Sequence, residues 1–247
     1  ALMLSLIMVL SLFAGCNGSD TGGSSDSADA VIPDGEVTLR IGTSASDTSA
    51  ITQGAYWFAE QMNERTGGLV SVRVYSSDSI SGGAQTQGIE MLMDGSADMT
   101  FHSNLIYSTL DERLNVISLP WLFEDYEDVD TTLAGEAGDA IADILAEYGI
   151  KVLGFAQNGF RQVTNNVREI RTVEDMAGLK IRVNNSQMQI NLFTAMGADP
   201  LNMNFSEVFT SLQQGSIDGQ ETPIDVTYSS NLHEVSDYLS VWNYMYD

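Results

Sequence analysis

Cysteine occurs once in the 247 residues, at Cys16. One thiol cannot close an intrachain disulfide or build a cluster of cysteine metal ligands. Histidine is nearly as scarce. His102 and His233 stand far apart with no ligand-like spacing, so a His/Cys zinc centre is not expected. Positive charge is the third shortage: 10 lysines and arginines face 34 aspartates and glutamates, for a formal net charge of -24. A nucleic-acid partner needs a basic footprint that this chain lacks. The acid keeps an exposed protein soluble and says nothing about fold. Catalytic signatures are missing too. The chain has no GxSxG elbow, no GxxxxGK[ST] phosphate loop and no HExxH helix. The adjacent carboxylates Glu124-Asp125 and Glu127-Asp128 read as solvated charge, and Gly82-Gly83 is too little for a phosphate nest. No enzyme chemistry, cofactor or metal is expected.

What is present is ordinary globular composition, 43% hydrophobic and 18% charged, with enough chain to bury a sizeable core. The front of the chain reads differently. Residues 1–15 (ALMLSLIMVLSLFAG) are uncharged and almost wholly apolar. They fall short of the roughly 20 residues that span a bilayer and fit a signal-peptide core. Ala14-Gly15-Cys16 resembles the lipobox of bacterial lipoproteins, with Phe13 where that pattern prefers Leu. The resemblance implies a lipid on Cys16. The usual basic start and initiating Met are missing, so the chain is expected to be clipped at its front. Residues 16–36 are dominated by Gly, Ser, Asp and Ala, which bury too little surface to offset ordering; a flexible tether is expected.

The body alternates strand and helix patterns. Val37–Ile41 and Val70–Tyr75 alternate apolar and polar, as strands do. Between them Ile51, Ala55, Phe58, Ala59 and Met62 recur at helical spacing up to Arg65, before Gly67-Gly68. A helix near 84–94, a short strand at 98–101, a helix near 127–148 and a strand at Lys151–Phe155 follow. This succession predicts βαβ units and a parallel sheet over residues 37–157. A second α/β block over 158–238 is predicted from strands at Phe160–Thr164 and Lys180–Val183. Its helices are expected at 187–196, 206–214 (capped by Ser206) and 223–232, with Thr172 and Asp175 forming a capping box. Leu239–Tyr246 reads as a strand within a segment, 239–247, that crosses back toward the first block; a C-terminally truncated fold is expected.

Five of the ten basic residues lie between 161 and 182. Arg168 and Arg171 suit a solvated patch. In Leu179–Val183, Leu179, Ile181 and Val183 share one strand face, and Lys180 and Arg182 the other. A strand-borne guanidinium in an α/β protein can point into a ligand cleft at the sheet edge. Its planar fork matches a carboxylate at two points. Trp57, Trp121, Trp242 and Phe205 could line such a cleft or pack in the core.

Three stretches carry a resemblance. They are Gly159–Asn165 (GFRQVTN), Val173–Asn185 (VEDMAGLKIRVNN) and Met196–Pro223, which contains GADPLNMNFSEVF and LQQGSIDGQETP. Asp94–Met99 and Ser118–Phe123 add weaker support. Together, in order and spacing over about 37–247, they resemble the solute-binding subunits of TRAP transporters, the DctP family. The resemblance implies a periplasmic-binding-protein-like fold of two α/β domains with the ligand in the cleft between them. It implies that Arg182 pairs with a ligand carboxylate, with Arg161, Asn185, Phe205 and Thr222 as further contacts. Thr222 stands where the family often has Asn, keeping a hydroxyl and losing the amide. Ser103 stands where sialate binders carry Glu, so sialic acid is not the expected ligand. A metal-assisted keto-acid mode exists in part of the family, and Gln220 and Glu221 are the residues it would use here.

The expected function is extracytoplasmic capture of an organic acid, dicarboxylates included. The acid would be delivered to a TRAP membrane permease by a protein lipid-anchored on the outer face of the cytoplasmic membrane, periplasmic where there is an outer membrane. The alternatives are an ABC-type binding protein, an enzyme acting on organic acids, and a sensory domain.

Overall fold

The computed structural model describes residues 35–247. The expected leader (1–15), Cys16 and the tether up to residue 34 lie outside the described residues. Among the described residues no helix is long and apolar enough to cross a membrane.

The first half builds on β1 (Val37–Thr43), which pairs in parallel with β2 (Val70–Tyr75) and β3 (Met99–Phe101) in the order β2-β1-β3. Helices α1 (Ala50–Arg65) and α2 (Gln85–Asp94) are the crossovers between them, as parallel strands require. A single turn, α3 (Asn104–Tyr107), follows β3. The helix expected near 127–148 is two helices, α4 (Tyr126–Leu133) and α5 (Glu136–Glu147), with Gly135 in extended backbone between them. The corner is tight: a Cβ on Gly138 would lie 2.0 Å from the Leu133 carbonyl oxygen, so only glycine allows it. Breaking the helix lets Val129 of α4 join Ile141 and Leu145 of α5 in one apolar cluster.

The expected strand at Lys151–Phe155 does not form; the segment is irregular. Its alternation is real, but no strand among the described residues pairs with it, and Leu153 and Phe155 are exposed. A strand without a ladder leaves its backbone to water.

The second half is a mixed sheet of β4 (Arg161–Asn165), β5 (Lys180–Val183), β6 (Asp199–Asn202), β7 (Gly219–Pro223) and β8 (Tyr238–Ser240), in the order β6-β5-β7-β4-β8. Strands β6, β5 and β7 run parallel, and β4 is antiparallel to β7 and β8. Helices α6 (Gln187–Ala195), α7 (Val208–Gln213) and α8 (Ile224–Ser229) cover it. Leu179, Ile181, Val183 and Phe193 form the core between β5 and α6. The capping box at Thr172 is present, the Asp175 carboxylate accepting from the Thr172 backbone N–H, and it opens a 3-10 turn.

The strand expected over Leu239–Tyr246 is confined to β8 plus an isolated bridge from Tyr246 to Phe160. Beyond β8 the chain leaves the sheet for the first half. There the carbonyl of Tyr244 accepts from Trp121 N–H and that of Tyr246 from the Ser118 hydroxyl, both at 2.8 Å. Ser118 ends a 3-10 helix and Trp121 lies in the turn after it, so no regular ladder forms.

Candidate functional site

A narrow cavity lies between the two halves. Ser44, Gln85 and Ser103 line it from the first, and Arg182, Phe205 and Thr222 from the second. Asn158, Arg161 and Asp247 line it too. Its empty volume is about 390 Å³ counting the open mouth. The lips touch. The Ser206 hydroxyl donates to the Gly83 carbonyl at 3.1 Å. Asp225, on the first turn of α8, accepts from the Ser49 hydroxyl and the Ala50 N–H at the start of α1, at 2.8 and 3.2 Å. Ser206 was expected to cap a helix; it lies inside the 3-10 turn Phe205–Glu207 instead, free to bridge the lips.

Strand alternation on β5 decides the most important side chain. Ile181 and Val183 go to the core, and Arg182 to the cavity. Its Nε and Nη2 both donate to the Met203 carbonyl, at 3.0 and 2.8 Å, and the guanidinium stacks 5.6 Å from the centre of the Phe205 ring. The residue is 1% exposed, yet no carboxylate among the described residues pairs with it. Burial pushes its pKa down to about 10, which leaves it charged at neutral pH.

Arg161, on β4, is the reverse case. Its Nε meets Glu221 at 2.5 Å, its Nη2 meets the Glu221 carboxylate and carbonyl at 2.9 and 2.8 Å, and its Nη1 meets Asp247. Burial opposes its charge, but the carboxylates of Glu221 and Asp247 outweigh it and the net shift is upward. The Tyr244 hydroxyl also donates to Glu221, at 2.6 Å. Arg161 therefore lines the cavity with its fork largely occupied, and Glu221, on which a metal-assisted mode would draw, is held by it.

Phe205 and Thr222 line the same cavity, Thr222 sharing a 2.9 Å hydrogen bond with Thr227. Asn185 does not. It is exposed and accepts from Asn202 at 2.7 Å, while Asn184 lines the cavity, 3% exposed and with its Oδ1 unpartnered. The period of two accounts for this placement, since Asn184 shares the strand face of Arg182. Asn158 and Asp247 also line the cavity and were not expected there; nothing local marks them, because their roles come from pairings across the fold. Of the tryptophans, Trp57 and Trp121 are exposed and Trp242 packs against the second core; none lines the cavity.

A family model described as "DctP: Bacterial extracellular solute-binding protein, family 7" matches residues 41–247. The chain belongs to the DctP family. Among its relatives, the 2,3-diketo-L-gulonate-binding periplasmic protein YiaO of Escherichia coli (strain K12) is 37% identical over 209 residues. That match takes in 85% of this chain and 63% of the relative, so the chain spans less than two thirds of that protein's length. The sugar acid binding protein DctPAm from Advenella mimigardefordensis strain DPN7T, solved with galactonate, matches with a TM-score of 0.83 at 32% identity. The match covers 86% of this chain and 68% of that one. A TRAP periplasmic solute binding protein from Sulfurospirillum deleyianum DSM 6946, solved with succinate, matches with a TM-score of 0.82 at 30% identity, over 86% of this chain and 68% of the other. The DctP family is one of binding proteins, not enzymes, and this DctP-family chain has the α/β architecture of its solved members.

Proposed function

We propose that this chain captures a carboxylate-bearing organic acid outside the cytoplasm and delivers it to a TRAP membrane permease. The observation that carries this is Arg182: a buried guanidinium facing the cavity, with no acid among the described residues in an ion pair with it. Burying such a charge is costly unless a partner arrives, and an incoming carboxylate would be that partner. Residues 37–157 and 158–238 act as the two jaws and 239–247 as the crossing segment. Phe205 holds the guanidinium plane, and Thr222 and Arg161 border the ligand. A ligand shifts the jaws toward closure only by its extra affinity for the closed form, which pairing with the buried charge would supply. The relatives bind gulonate derivatives, galactonate and succinate, which share a carboxylate.

Truncating one member of a desolvated charge pair costs about 2–5 kcal/mol, so Arg182→Ala is expected to weaken acid binding about thirtyfold or more. Calorimetry with the bound acid checks this, with unfolding curves to establish that the variant folds. Unchanged affinity in a folded variant rejects the assignment. The lipid anchor on Cys16 belongs to the same proposal. Expressed in cells behind a complete leader, a Cys16→Ser chain should move from the membrane fraction to the soluble one; retention at the membrane would reject the anchor.

A further inference from the structure

We infer that Asp78 and His102 are positioning residues, a buried pair that fixes the loop bringing Gly83 to Ser206 across the lips of the cavity. Neither side chain lines the cavity; both act through their neighbours.

The loop, residues 76–83, joins β2 to α2. Ser77, Asp78, Gly82 and Gly83 all have left-handed backbone, with φ of 52°, 53°, 65° and 90°. Glycine takes that conformation freely. Ser77 and Asp78 do not, so their surroundings must impose it. Asp78 is the hub. Its N–H donates to the Thr43 carbonyl at 2.9 Å, and its carbonyl accepts from the N–H groups of Ser81 and Gly83 at 3.0 and 2.9 Å. Ser77 N–H donates at 2.9 Å to the carbonyl of Ala45, a residue of the cavity wall. The resulting shape sets the Gly83 carbonyl 3.1 Å from the Ser206 hydroxyl. The approach is so close that a Cβ on Gly83 would stand 2.9 Å from Ser206 Oγ.

Those backbone bonds do not account for the Asp78 side chain, which turns inward. Its Oδ1 lies 3.0 Å from His102 Nε2, the two side chains being 2% and 1% exposed. Oδ1 and both ring nitrogens have no hydrogen-bond partner among the described residues, so the contact is electrostatic and each group offsets the burial of the other. The ring packs against α2 as well: a Cβ on Gly88 would stand 3.0 Å from its Cε1. His102 is itself held by the chain. It follows β3 directly and precedes Ser103, which lines the cavity and caps α3 by accepting from Leu105 N–H. The pair therefore ties the lip loop to the end of β3 and to α2. Removing either partner leaves the other buried alone, and a loop relaxing toward ordinary backbone carries the Gly83 carbonyl away from Ser206.

Amide hydrogen exchange of the full chain tests this, because it reads local opening. In His102→Gln, exchange should rise about fivefold or more in residues 76–84 and, across the lips, in 203–209, and stay unchanged in the core strand 179–183. A rise confined to 76–84, an equal rise in all three segments, or no rise overturns the positioning role. Asp78→Asn should give the same pattern. Asparagine accepts left-handed backbone, so this variant exchanges the carboxylate for an amide without new strain. A second measurement leaves both residues in place. The chain has two histidines, and replacing the exposed His233 by Gln assigns the remaining ring signal to His102 by NMR. Ser206→Ala, which removes the lip contact, should shift that signal, since coupling between two sites is reciprocal. An unmoved signal means that the pair does not sense the lips and overturns the inference. No acid enters these measurements, so neither outcome bears on capture at Arg182.

Discussion

Two arginines in one cavity, 21 positions apart, carry opposite electrostatics. Arg161 is 3% exposed and locked between two acids; Arg182 is 1% exposed and rests on a carbonyl and an aromatic ring. Sequence alone distinguishes them poorly, because Arg161 finds its partners 60 and 86 residues away. Arg182 was readable because alternation within five residues fixes its face. The same rule favoured Asn184, where motif likeness pointed to Asn185 next door. The Arg161 cluster sets a stability prediction. Glu221→Gln leaves Arg161 with one acid and deprives the Tyr244 hydroxyl of a charged acceptor. Breaking a buried pair from one side destabilises by about 3–5 kcal/mol, which urea unfolding should register. A change under about 1 kcal/mol would mean that Asp247 alone satisfies Arg161.

Elements were legible where apolar alternation marks them and obscure where it does not. Strands β1, β2 and β5 follow from their patterns. Strand β7 reads GQETP and is buried throughout, with Gln220 donating to Thr164 and Glu221 held by Arg161. Polar partners replace apolar packing there, so hydrophobic periodicity has nothing to detect. Its Gly219 serves close approach: a Cβ would stand 2.3 Å from the Thr164 carbonyl oxygen on β4. Conversely, Lys151–Phe155 has the pattern without the neighbour. The most consequential element contact was invisible in sequence. Asp225 reaches across the lips to the N-terminus of the 16-residue helix α1, whose N-cap Ser49 makes no side-chain cap bond of its own. A carboxylate there satisfies a free N–H and favours the positive end of the helix dipole. Asp225 does not line the cavity. Asp225→Ala should therefore weaken ligand binding by up to about thirtyfold by disfavouring closure, since loss of a cap costs about 0.5–2 kcal/mol. Calorimetry together with small-angle scattering would separate this from a ligand contact: scattering should show a larger open fraction without ligand. Equal affinity and equal scattering would mean the lips are held elsewhere.

For the whole molecule the dominant quantity is charge. With 34 acids against 10 bases, the formal net charge is -24. Self-repulsion disfavours the compact state and is screened by salt. Exposed pairs such as Arg40 with Asp98 and Arg113 with Asp111 are weakened by the same salt, but each contributes little. Raising ionic strength from about 0.01 to 0.5 M should therefore raise the unfolding temperature by about 2–4 °C, the shift that 1 kcal/mol gives a chain of this size. A fall would mean that the ion pairs outweigh the repulsion.

The sequence by itself determined the class of molecule: α/β, acidic, in a family of solute-binding proteins, with a guanidinium set on the polar face of a short strand. These follow from local periodicity, composition and linear motifs, which need no distant partner. Only the tertiary structure decided which charges are already spent. It gave Arg161 to Glu221 and Asp247 and left Arg182 open. It also set Asn184 in the cavity lining and joined Asp225 to α1. Such pairings depend on which residues meet across tens of positions of chain, and that information exists only once the two halves have packed together.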